Sequence, residues 1–178
     1  MNHSVPLPLR RPGVVARLTG RVDRWFIAAL LLAPPLAWLA SALPDLPCNR
    51  LADCSPHELG RLLIAAPVLE ECALRAGLQC GLRDLWPDAA RRWRIDVWLS
   101  ALAFTLLHAA QMPSVWLAAL LLPGLAIGAI FARARDHADR CNGSAFAGLP
   151  SAIGLHLWFS ALALLVCGAA APLPFAPP

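Results

Sequence analysis

Lysine does not occur in this sequence, and charged residues of all kinds make up only 15% of it, against 58% hydrophobic residues. Over 178 residues that balance excludes an ordinary soluble domain and points to an integral membrane protein. The polar/apolar alternation of a transmembrane β-barrel is missing too. The apolar runs are continuous instead, so the expected spans are helices and the fold class is all-α. No Cys-x-x-Cys pair occurs among the six cysteines, which excludes the usual zinc patterns. No nucleic-acid-binding motif accompanies the arginines, so the net charge of +4 does not mark a nucleic-acid partner. Internal repeats, low-complexity tracts beyond the proline-rich ends and a soluble domain are also absent.

The charge that is present is clustered. Arg10, Arg11, Arg17, Arg21 and Arg24 precede the first apolar run, Arg83, Arg91, Arg92 and Arg94 form a second group, and Arg133, Arg135 and Arg140 a third. The positive-inside rule puts all three groups on the cytoplasmic side. Residues 1–24 then form a cytoplasmic arginine- and proline-rich lead-in, and residues 25–172 a transmembrane helix bundle of about five spans, N-terminus in and C-terminus out.

The first expected span is 25–43, kinked at Pro34-Pro35. A secretory signal peptide ending near Ala40-Ser41-Ala42 is the competing reading, although the apolar core is longer than an h-region usually is. Residues 44–58 read as an external loop in which Cys48 and Cys54 are placed for a local disulfide. Ser55-Pro56-His57-Glu58 supplies the start of helix two, with Ser55 as N-cap and Pro56 at the first helical position. Helix two descends to the basic segment 83–94, helix three covers about 96–112, and a short turn follows at Gln111-Met112-Pro113-Ser114. Helix four, 115–132, carries Gly124 and Gly128, a small-xxx-small face that allows a neighbour close approach. The last span lies within 143–171. Cys72, Cys80 and Cys167 fall inside spans, where cysteine acts as a small apolar residue, and Cys141 falls in a basic loop.

Against this background the run Glu70-Glu71-Cys72-Ala73-Leu74-Arg75 stands out, because ionisable side chains at membrane depth are costly unless they face a protein interior or a wet cavity. On a helix, Glu71 and Arg75 share a face in the favourable acid-before-base order, whereas Glu70 points about 100° away. One carboxylate is thus neutralised and the other left free. A buried ion-pair cluster that only locks helix packing is the plain alternative. Elsewhere in the spans the strongly polar residues are His108, His156 and Ser160, with His156 and Ser160 one turn apart on one face. Counted from the residues that bound each span, Glu70, His108 and His156 each stand roughly 20 Å above the inner edge at 1.5 Å per residue. For His156 this holds if the fifth helix starts near Ser144; a start at Pro150 drops it below the others.

The chemistry open to this set is narrow. No Gly-x-Ser-x-Gly elbow supports a serine hydrolase, His-Glu-x-x-His is absent, and carboxylates beside Cys72 oppose a thiolate. A carboxylate acting as general base on a water, with histidines orienting the water or stabilising an oxyanion, remains.

Taken in order, Glu70-Glu71-Cys72-Ala73-Leu74-Arg75, Phe104-Thr105-Leu106-Leu107-His108 and His156-Leu157-Trp158-Phe159-Ser160 resemble the three signatures of the CPBP family, the CAAX-prenyl-protease and bacteriocin-processing type of glutamic intramembrane protease. Pro123-Gly124 and Gly128 also resemble that family's glycine-bearing helix, and the similarity runs from about residue 60 to 165. The resemblance implies Glu70 as the base that activates water, His108 as its assistant, and His156 as part of an oxyanion hole. It further implies that Glu71 and Arg75 hold the site together. Where this chain has Ser160, the family normally has asparagine, whose amide reaches further than a hydroxyl. The implied activity is endoproteolysis, without a cofactor, of a membrane-anchored protein or peptide in the bacterial inner membrane, with C-terminal sorting tails as one substrate type. A non-catalytic binding or immunity-type membrane protein and a metal-dependent protease are the alternatives.

Overall fold

The computed structural model describes residues 24–40, 55–110 and 114–170. Most of the lead-in, the Cys48–Cys54 pair, Ser41 and Ala42 of the candidate cleavage motif, Gln111 to Pro113 of the turn, and the C-terminal tail lie outside the described residues, as does the side chain of Cys167.

All regular structure among the described residues is helical: α1 (Arg24–Ala40), α2 (residues 56–85), α3 (Pro87–Trp93), α4 (Ile95–Leu107), α5 (Ser114–Arg140) and α6 (Leu149–Ala170). Two stretches, Leu117–Arg140 and Leu149–Val166, are long and apolar enough to cross a bilayer, while Phe26–Pro35 and Ile95–Leu107 are shorter apolar helices. The proline kink expected in the first span falls inside α1. Pro34 leaves the carbonyl four residues back without its helical donor, and Trp158 on α6 replaces it, Nε1–H donating to the Leu30 oxygen at 3.1 Å.

α2 begins as its sequence specifies. Ser55 and Glu58 form a reciprocal capping box, with Glu58 N–H to Ser55 Oγ at 3.3 Å and Ser55 N–H to Glu58 Oε2 at 2.9 Å. The helix then runs unbroken through five segments, of which Arg61–Ala65 and Cys72–Gln79 are π-helical. The two wide segments bracket Ala66–Glu71, the turn that carries both glutamates. Pro67 accounts for the first of them. Its ring opposes the carbonyl four residues back, and the wider turn relieves that contact.

Several boundaries depart from the sequence reading. The basic segment 83–94, where helix two was expected to have ended, is itself largely helical: Arg83 still belongs to α2 and Pro87–Trp93 folds as α3. Arg94, in the left-handed region at φ 54°, turns the chain into α4. α4 stops at Leu107, so His108 caps the helix rather than lying inside it. α5 is 27 residues long and carries Arg133, Arg135 and Arg140 on its last turns. Aspartates absorb much of this charge: Arg83 and Arg94 both bond Asp136, the second at 2.8 Å, and Arg135 pairs with Asp84 at 3.1 Å.

The largest correction concerns α6. It starts at Leu149, the start that depth counting tied to a sunken His156, yet His156 reaches Glu71. Residues 141–148 make this possible by climbing back along α5. A Cβ on Gly148 would stand 2.9 Å from the Ala134 Cβ and 3.0 Å from the Phe131 Cα. Phe131 lies roughly 13 Å back along α5 from Arg140 at 1.5 Å per residue, so α6 begins already raised.

The apolar core gathers Ile127, Ile130, Phe131, Ala152 and Leu155 with Cys80. Cys80 is the small buried residue it was expected to be, and its Sγ also accepts from Arg135 Nη1 at 2.9 Å. Cys72 and Cys141 are exposed free thiols.

Candidate active site

Beside the apolar core runs a buried polar seam. Glu71, Arg75 and Gln79 follow one another at turn spacing along α2, and each is 1% exposed or less. Arg75 donates Nε–H to Glu71 Oε2 at 2.9 Å, Nη1 to Ser100 Oγ on α4 at 2.6 Å, and Nη2 to the Gly124 carbonyl on α5 at 3.3 Å. Gln79 donates to the Gly128 carbonyl at 2.9 Å. The close approach expected at Gly124 and Gly128 is therefore used to bring a guanidinium and an amide against the backbone of α5. At Gly128 a Cβ would lie 3.2 Å from Arg75 Nη1 and 3.3 Å from Val97 Cγ1.

The Glu71 carboxylate has a second oxygen, and it fixes His156. His156 Nδ1 lies 2.9 Å from Glu71 Oε1. An ionised carboxylate only accepts, so Nδ1 is the donor and Nε2 is left to face outward. Nε2 is 3.8 Å from Glu70 Oε2, an oxygen with no hydrogen-bond partner among the described residues. As geometry required, Glu70 and Glu71 diverge: one is locked by Arg75 and His156, the other stands free.

His108 is oriented by its own helix end. Its Nδ1 lies 2.9 Å from the Phe104 carbonyl, which fixes Nδ1 as donor and leaves Nε2 for another partner. The buried Phe104 ring separates the two imidazoles, tilted against His108 at 4.9 Å between centroids and edge-on to His156 at 5.2 Å.

Glu70, His108, His156 and Ser160 form the polar wall of one cavity of about 210 Å³, and Leu62, Ala66, Pro67 and Leu107 its apolar wall. The sequence-predicted residues are thus together: four around the cavity, with Glu71 and Arg75 behind His156. Sequence reasoning missed Gln79 and Ser100, the neutral members of the seam. The signal was present in the Glu71, Arg75, Gln79 series at four-residue steps. At its edge stand a carboxylate oxygen without a hydrogen-bond partner among the described residues and two oriented imidazoles. Among the described residues no three His, Cys, Asp or Glu side chains converge as metal ligands.

No curated protein and no solved structure matches this chain. Residues 56–162, which contain the whole seam and every cavity-lining side chain, match the model of the type II CAAX prenyl endopeptidase Rce1-like family, and the chain belongs to that family of membrane-embedded endopeptidases.

Proposed function

We propose that the protein is a glutamic-type intramembrane endopeptidase. Glu70 takes a proton from a water held in the cavity, with His108 Nε2 accepting the second water hydrogen, and the resulting hydroxide attacks a peptide carbonyl. The tetrahedral oxyanion is met by the Ser160 hydroxyl and by His156 Nε2 when that atom carries a proton. Glu70 then returns its proton to the leaving amine, so that the water is consumed and no proton is gained or lost. Glu71 and Arg75 keep His156 in register and do not touch the substrate.

The observation that carries this reading is the unpartnered Glu70 Oε2 facing His156 Nε2 at 3.8 Å across the cavity wall. The substrate is a membrane-anchored protein or peptide, with C-terminal sorting tails as one type, and the setting is the bacterial inner membrane. The full topology is five crossings, N-terminus in and C-terminus out. Glu70→Gln keeps the shape of the side chain and removes the base. In proteoliposomes its cleavage of a membrane-anchored peptide is expected to fall by at least about a hundredfold with unchanged helicity. Cleavage at the wild-type rate would overturn the assignment, and loss of wild-type activity to a chelator would redirect it to a metal-dependent protease.

A further inference from the structure

The proposed chemistry uses the polar wall of the cavity and leaves the apolar wall without a role. That wall is where the hydrogen bonding of α2 is broken. Within the π-helical segment before Pro67, the Ala66 N–H donates to the Arg61 carbonyl, five residues back. The Leu62 carbonyl thereby loses the donors four and five residues on. Ala66, four residues on, is engaged elsewhere, and Pro67, five residues on, has no N–H. In α1 the carbonyl freed by Pro34 is capped by the indole of Trp158. Among the described residues no side chain does the same for Leu62. Helical carbonyls point toward the C-terminus, which aims this oxygen at Ala66 and Pro67, and all three residues line the cavity.

We propose that the Leu62 carbonyl is a main-chain acceptor for one N–H of the substrate, so that this site takes its peptide as an unwound strand. The inference rests on the protease reading and adds to it how the substrate is held. A backbone acceptor without a donor is unfavourable wherever water is excluded, so it is matched when an incoming amide supplies the bond. In a helical substrate the N–H groups are already used within the helix. Only an extended segment has them free. Leu62 stands roughly 12 Å along α2 from Glu70 at 1.5 Å per residue. An extended chain covers that span in three or four residues at about 3.3 Å each. The substrate class is therefore a membrane-anchored peptide whose residues three or four positions from the cut are outside its transmembrane helix or in a broken turn of it.

The test uses a synthetic membrane-anchored peptide cleaved by the full-length protein in proteoliposomes, with backbone amides replaced one at a time by esters on both sides of the cut. An ester lacks the N–H and changes little else. One position, three or four residues from the cut, is expected to lose about fivefold in kcat/KM, and its neighbours are not. In Pro67→Ala the helix regains an N–H for its own carbonyls, and the same ester is expected to cost nothing. A flat ester scan in the wild-type protein, or an equal loss at that position in Pro67→Ala, would overturn the proposal while leaving the protease reading intact. A parent peptide that is not cut at all would sink both.

Discussion

Arg75 asks more of its surroundings than any other residue here, because its guanidinium is entirely buried and touches three helices. Removing one member of a buried ion pair leaves the other charge uncompensated, at about 3–5 kcal/mol. Arg75→Met is therefore expected to lower unfolding stability in detergent by that amount, and to weaken the hold of Glu71 on His156. Arg75→Lys should fall between, since one ammonium cannot span Glu71, Ser100 and Gly124 together. Ser160 carries the second prediction at this scale. If its hydroxyl serves the oxyanion, Ser160→Ala costs on the order of a hundredfold in kcat, and Ser160→Asn, with a longer amide donor, restores or exceeds wild-type turnover in the same peptide assay. These residues were legible because ionisable groups are rare in apolar spans and their spacing fixes which face they share. Gln79 and Ser100 were not, because neutral polar side chains are common enough in spans that only the neighbouring helix reveals their partners.

Among the elements, α6 depends on the return of residues 141–148 along α5, and Gly148 is the tightest point of that return. Gly148→Ala drives a methyl onto the backbone of Phe131 and the side chain of Ala134, so something must move. Overpacking of this kind costs about 1–3 kcal/mol, and the displacement would pass along α6 to His156. The expected signature is a loss of stability together with a loss of peptide cleavage. Gly60→Ala, with no atom within 4 Å of the new methyl, is the matching control and should be neutral or stabilising by about 0.5–1 kcal/mol. The start of α2 adds a pH signature. The Ser55 backbone N–H, then the Ser55 hydroxyl, hold the exposed Glu58 carboxyl below its ordinary value. A depressed folded value means that the cap contributes above the unfolded carboxylate range and is lost as pH falls through the folded one. Ser55→Ala keeps the backbone N–H and removes the hydroxyl, so it should reduce that part of the stability profile without abolishing it. The apolar helices were readable from their runs and caps, but not α3, the start of α6 or the π-turn before Pro67, because α3 lies in a basic segment, the start of α6 depends on packing against α5, and the π-turn on how a proline is absorbed.

For the whole molecule, the sequence identified a helical membrane protein and brought its polar residues to one site. Residue counting alone was a poor guide to depth. Two helices are long enough to span outright, while α1 contains two prolines, α2 changes pitch twice, and α4 is only 13 residues long. Orientation, which rests on arginine bias alone, is where an experiment decides most. Cys141 is an exposed free thiol just after Arg140, and Ser55 is exposed at the opposite end of the expected topology. In a variant keeping Cys141 as its single cysteine, a membrane-impermeant maleimide should label inside-out vesicles and spare intact spheroplasts. A variant whose single cysteine comes from Ser55→Cys should show the reverse pattern. If Cys141 reacts from outside, the arginine clusters do not mark the cytoplasmic face.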